Sequence, residues 1–162
     1  MQGGYFSYGL LGLLAIALLT AAFTDIRRRQ IDNWLNAAIA LGAPLFWLAS
    51  GLSLVDVGWQ LGVAVATFAV LAVLFAFRAM GGGDVKLLTA LALWIQPVWF
   101  LRLLIVMALV GGVLTLVLGM WHIARRRKDK IAIPYGVAIA SAALWTLSSQ
   151  YLPAFQAGAH AG

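Results

Sequence analysis

Cysteine is absent from this 162-residue chain, and so is glutamate. Without cysteine there is no disulfide, no thiol nucleophile and no thiolate-bound zinc, and the redox compartment stays open. Without glutamate, any carboxylate chemistry falls to Asp25, Asp32, Asp56, Asp84 and Asp129. Charge of either sign is scarce: 10% of residues are charged against 64% hydrophobic, and the mean hydropathy is +0.97. A soluble domain of this length cannot bury so much apolar surface, so lipid is the expected solvent. Histidine is limited to His122 at a span edge and His160 in the tail, settings too different to make a metal site. No metal or cofactor is therefore expected. A phosphate-binding G-x-x-x-x-G-K-[ST] loop and a G-x-S-x-G nucleophile elbow are also missing.

What the chain has in abundance is apolar runs, and its length suits one membrane domain over residues 1–162. Residues 5–24 can cross ~30 Å of hydrocarbon, and Arg27, Arg28 and Arg29 follow them. Basic residues after the run, rather than before it, are the reverse of a signal peptide, so it reads as a retained span. Further spans are expected at 34–54, 57–77, 85–95, 98–121 and 131–152. The fourth covers only roughly 17 Å at ~1.5 Å per residue, so it reads as a partial or tilted span, ended by Pro97. The polar tail after Pro153 is expected to be poorly ordered. The prediction is an all-α, polytopic membrane bundle of about six transmembrane helices with a short fourth span.

The net charge of +6 supports the same topology. With the amino terminus outside, ten of the 11 basic residues fall on the cytoplasmic side and only Arg102 on the other. These residues flank apolar runs, so anionic lipid headgroups, not nucleic acid, are their expected partners. Both termini then lie outside. Asp25, Asp32, Asp84 and Asp129 face the cytoplasm, and Asp56 is isolated from them. The membrane core carries no charge in any span, Lys86 and Arg102 lying near span ends, and hydroxyls such as Thr67, Thr115 and Ser141 are expected to bond back to their own helices.

The densest chemistry lies in Met80-Gly81-Gly82-Gly83-Asp84-Val85-Lys86. Three glycines make poor membrane helix, but they permit positive φ and the close approach of another backbone. Asp84 either marks a reactive break at the membrane edge or simply caps the short span. Asp25 stands at the carboxyl end of the first span, where the helix dipole disfavours a carboxylate. It either pairs with Arg28 or Arg29 one turn on or does chemistry. Lys86 reads as a snorkelling lysine or as a salt-bridge partner for a cytoplasmic carboxylate. Asp32 and Asp56 read as helix caps, and Asp129, within Arg125-Arg126-Arg127-Lys128-Asp129-Lys130, as a solvated charge. If Asp25 and Asp84 meet, they share a proton. The ionised member then takes a proton from an attacking water, and the protonated member donates to the peptide carbonyl oxygen.

Phe23-Thr24-Asp25-Ile26-Arg27-Arg28-Arg29-Gln30-Ile31-Asp32-Asn33-Trp34-Leu35 resembles the first catalytic segment of the type IV prepilin peptidases, membrane aspartic proteases with a G-x-G-D motif. Gly81-Gly82-Gly83-Asp84-Val85-Lys86-Leu87 matches their second segment closely, and Ile133-Pro134-Tyr135-Gly136 resembles a third, less specific one. The chain looks most like the short, tight-adherence (Flp pilus) branch. The resemblance implies that Asp25 and Asp84 are catalytic and that Gly81, Gly82 and Gly83 let a substrate backbone approach. Lys86 and Asn33 become neighbours of the pair. The implied substrates are prepilins and pseudopilins with a hydrophobic amino-terminal segment, cut after a glycine at the cytoplasmic face of the bacterial inner membrane. Asp32 stands where the family usually has proline, and Val137 where the third motif often has proline. The long members carry an extra cytoplasmic region with zinc-binding cysteines and also methylate the new amino terminus. This chain lacks both features, so methyltransferase activity is not expected.

Two other classes fit less of the sequence. A small transporter needs ionisable groups near the membrane midplane, which the spans lack. A non-catalytic assembly factor of a pilus or secretion machine would tolerate loss of Asp25 and Asp84.

Overall fold

The computed structural model describes the backbone of residues 4–124 and 135–159, and the side chains of residues 4–121 and 135–153. The basic run from Arg125 to Lys130 with Asp129, the Ile133-Pro134 half of the third motif, and the His122 and His160 side chains lie outside the described residues. Six helices follow one another: α1 (Tyr5–Arg28), α2 (Asn33–Ala49), α3 (Leu54–Ala76), α4 (Gly82–Ala92), α5 (Pro97–Ala124) and α6 (Tyr135–Ala159). The expected all-helical membrane architecture stands. α1, α3 and the Pro97–Trp121 part of α5 are long and apolar enough to cross a membrane, and α2 is a shorter apolar helix. α5 turns Ile105, Leu109, Val113 and Leu116 outward, and α3 does the same with Val65, Phe68 and Val73. Such apolar faces are stable against lipid, which asks only that each helix satisfy its own backbone. Hydroxyls do return to the helix, as Thr115 Oγ1 and Ser141 Oγ donate to the carbonyls of Gly111 and Val137.

Several boundaries differ from the hydropathy reading, for local reasons. The second span was expected to reach residue 54, but α2 stops at Ala49 because Gly51 takes a left-handed φ of 61°. Asp56 was expected to cap the third span. Ser53 is the actual cap, its Oγ accepting from the Asp56 amide at 3.2 Å, while Asp56 Oδ2 accepts from the Ser53 amide at 3.2 Å. α6 continues through Pro153 as far as Ala159. An interior proline removes one backbone bond, and in a membrane helix neighbouring groups re-satisfy the freed carbonyl.

The 11-residue α4 is the centre of the bundle. It packs on α2, α3 and α6, and Leu87, Leu88, Leu91 and Ala92 are fully enclosed. The end of this helix runs into buried residues, Trp94 and Ile95, where a bare terminal carbonyl is costly. One indole answers this, and a second ties the helix end back to α2. Trp47 Nε1 on α2 donates to the Leu93 carbonyl at 2.7 Å, and Trp94 Nε1 donates back to the Ile39 carbonyl of α2 at 2.8 Å. Trp94 also stacks on Phe46, with centroids 5.1 Å apart. Gly42 leaves the room for this ring, since a Cβ there would lie 2.8 Å from Trp94 Cζ2. Gly42→Ala is expected to destabilise the fold by about 1–3 kcal/mol through overpacking, read as a lower midpoint in thermal unfolding of the detergent-purified protein.

Candidate active site

Five helix termini meet at one end of the bundle: the ends of α1 and α3 and the beginnings of α2, α4 and α6. Asp25, in the last turn of α1, is 7% exposed. The hydrogen bonds to its carboxylate come from the start of α6, while the Arg29 amide donates only to the Asp25 backbone carbonyl. Asp25 Oδ2 accepts from the Gly136 amide at 2.8 Å, and the Val137 amide also donates to the carboxylate. The unfavourable dipole at the end of α1 is thus answered by the positive end of α6. Arg29 acts on Asp25 through its charge. Gly136 is required by contact: a Cβ there would lie 2.8 Å from Asp25 Oδ2 and 3.0 Å from its Cβ and Cγ.

Asp84 is the third residue of α4, not its cap, and Gly81 holds the cap position. The Gly81 backbone donates to the Asp84 carboxylate. Burial, and then the nearby charge of Asp25, push the Asp84 carboxyl up to about 6, with the Gly81 bond acting the other way. None of Gly81, Gly82 and Gly83 takes a positive φ; of the two freedoms that glycine permits, close approach is the one used. A Cβ at Gly82 would press on the Phe75 ring at 3.2 Å, and one at Gly83 on Ile31 Cβ at 3.2 Å. The left-handed positions are Arg78, with φ of 58°, and Arg29, with φ of 55°. Both are strained for non-glycine residues, and both line the site.

Asp25 and Asp84 face two cavities that share them, Arg29 and Gly81. One, about 450 Å³, runs under the α1–α2 loop past Asp32, Asn33, Gly81, Gly82, Gly83 and Lys86. The other, about 680 Å³, opens between the end of α3 and the start of α6, walled by Phe75, Met80 and Tyr135 beside Arg78. Lys86 is exposed and lies beside Asn33. Its Nζ donates to Asn33 Oδ1 at 2.8 Å. Asp32 occupies the cap position of α2, as expected, but its side chain makes no capping bond. Asp56 lines a separate cavity with Gln60, Gln96 and Pro97, at the α3 and α5 starts.

Sequence reasoning did not single out Asn36, which is 4% exposed and whose Nδ2 reaches the Gly83 carbonyl at 3.4 Å. The available signal was an amide in the first turn of an otherwise apolar helix. It also did not connect Gly136 to Asp25. That contact spans 111 positions and was foreshadowed only by the third motif.

Comparison with known families matches residues 12–119 to the type IV leader peptidase family, a stretch that includes Asp25, Asp84 and most of α5. No curated protein and no solved structure matches the chain. With the match extending over more than half of its length, the chain belongs to the type IV leader peptidase family.

Proposed function

We propose that this protein is an aspartic endopeptidase that removes the leaders of type IV prepilins and pseudopilins. Cleavage follows a glycine at the cytoplasmic face of the bacterial inner membrane, with both termini of the enzyme outside. The observation that carries the reading is the pair itself: Asp25 and Asp84 line the same two cavities, and burial, followed by the charge of Asp25, pushes the Asp84 carboxyl up to about 6. A singly protonated pair is the state that hydrolysis requires. The ionised carboxylate takes a proton from water as its oxygen attacks the carbonyl carbon. The protonated carboxyl donates to the carbonyl oxygen, and the resulting diol collapses as the leaving nitrogen is protonated. The polar cavity beside Lys86 supports water entry, and the wall of Phe75, Met80 and Tyr135 supports approach of the substrate's hydrophobic segment. Arg29, Arg78 and Lys86 at this end support a cytoplasmic orientation. Anionic headgroups are the expected lipid contact. Nothing here supports methyl transfer.

The test is gel-shift processing of each candidate prepilin from the same genome, co-expressed with wild type, Asp25→Asn or Asp84→Asn at equal membrane levels. Cleavage by wild type and by neither variant is expected. Pilus assembly that survives both substitutions, with no leader removed by any form, would instead make the protein an assembly factor.

A further inference from the structure

We propose that Asn36 and Asn33 are positioning residues for Asp84, the first turn of α2 acting as a clamp on the first turn of α4. The inference rests on the catalytic reading of Asp84. Asn33 and Asn36 are three apart on α2, so they share one face. Gly83 and Lys86 have the same spacing on α4. The two pairs meet in register: Asn33 Oδ1 accepts from Lys86 Nζ at 2.8 Å, and Asn36 Nδ2 donates to the Gly83 carbonyl at 3.4 Å. Asp84 lies between the two struts. Gly83 allows the approach, because a Cβ there would press on Ile31, at 3.2 Å from its Cβ and 3.5 Å from its amide nitrogen.

Asn36 is a poor choice for stability alone. Its Oδ1 is buried with no hydrogen-bond partner among the described residues, and its one strut is long. An apolar residue of similar size would remove the orphaned oxygen at little loss, since an unmade buried hydrogen bond costs more than a long one contributes. The amide supplies direction instead. The first turn of α4 has carbonyls with intrahelical partners but amides with none, so little within the helix fixes how it tilts. A lateral bond to the Gly83 carbonyl fixes that tilt, and with it the distance from Asp84 to Asp25. On the other strut, Lys86 is exposed, so its bond holds mainly by geometry and Asn36 is the deeper anchor.

The test uses the full chain in lipid nanodiscs with a synthetic peptide spanning the leader of a prepilin that wild type cuts. The variants are Asn36→Leu, Asn36→Gln, Asn33→Ala and, as control, Asp84→Asn. Asn36→Leu is expected to melt at or above the wild-type temperature while kcat falls about tenfold or more and KM stays within about twofold. Asn36→Gln, which keeps an amide donor, is expected to retain more kcat than the leucine variant. Asn33→Ala is expected to fall less than Asn36→Leu. Wild-type kcat in Asn36→Leu overturns the proposal, and so does a change confined to KM. Failure of Asn36→Leu and Asn33→Ala to accumulate in the membrane assigns both residues to folding and also overturns it. If Asp84→Asn itself cuts normally, the catalytic reading has failed. If Asp84→Asn is dead and Asn36→Leu is normal, only the clamp has failed.

Discussion

Asp84→Asn is expected to stop leader cleavage and, at neutral pH, to raise the melting temperature. The first effect follows from removing a group that must both give and take a proton, a loss of about 10²–10⁴ in rate. The second follows from the sign of the shift. Asp84 binds its proton more tightly in the fold, at about 6, than in a free chain, at 3.8. The associated stability is fully present below 3.8 and is lost as pH rises through about 6. At pH 7 the fold therefore holds an ionised carboxylate against burial and against Asp25. Relieving this with a neutral amide contributes on the order of 1–3 kcal/mol, given ~1.4 kcal/mol per pH unit and the partial solvation of the group. The helix dipole at the start of α4 favours a negative charge by only about 0.3–1 kcal/mol, and the Gly81 bond does not reverse the shift. A carboxylate kept merely to terminate the helix would behave oppositely: its loss would lower the melting temperature and spare cleavage. That pattern would remove Asp84 from the proposed mechanism. In the wild type, cleavage is expected to decline as pH rises above about 6, since the pair loses its shared proton there. The decline belongs to the pair as a unit.

Gly136→Ala is expected to lower cleavage by about 10²-fold, comparable to misplacing a reacting group by an ångström. Nothing about alanine disfavours a helix start in itself. The effect arises because its methyl group would stand 2.8 Å from Asp25 Oδ2 and 3.0 Å from two carbons of the same short side chain. Asp25 cannot swing clear and keep the 2.8 Å bond from the Gly136 amide. Either the carboxylate turns away or α6 backs off from α1. The strain is expected to cost about 1–3 kcal/mol. A double-mutant cycle measures the coupling, because Asp25→Ala removes Cγ and both oxygens. Gly136→Ala should destabilise the Asp25→Ala protein clearly less than it destabilises wild type. Equal costs in the two backgrounds, or full cleavage by Gly136→Ala, would show that Gly136 does not act through Asp25.

Much of the architecture was legible because lipid imposes a simple rule: long apolar runs become helices, and basic residues gather at one end. The short fourth helix and the clustering of Asp25 and Asp84 at a common end follow from that rule and from the glycine run before Asp84. Helix boundaries were less legible, since they depend on single backbone positions such as Gly51 and on a reciprocal cap such as Ser53 with Asp56. Of the two properties read in the glycines, close approach is the one the fold uses and positive φ is not. Hydropathy and composition marked Gly81, Gly82 and Gly83 as a break, and it took the structure to show that Gly82 and Gly83 let α4 lie against Phe75 and Ile31 while Gly81 leaves room for the Asp84 carboxylate.

By itself, then, the sequence determined the solvent, the helices, the carboxylates available and the end of the bundle at which they gather. Those are properties of segments, set by composition and period. The tertiary structure decided which groups touch: that Asp25 is held by the start of α6, that Lys86 and Asn36 serve the α2–α4 contact, and that Trp47 and Trp94 tie the buried end of α4 to α2. Each of these joins residues 46 or more positions apart. Such contacts depend on how rigid helices tilt and cross, and no local pattern of residues encodes that angle.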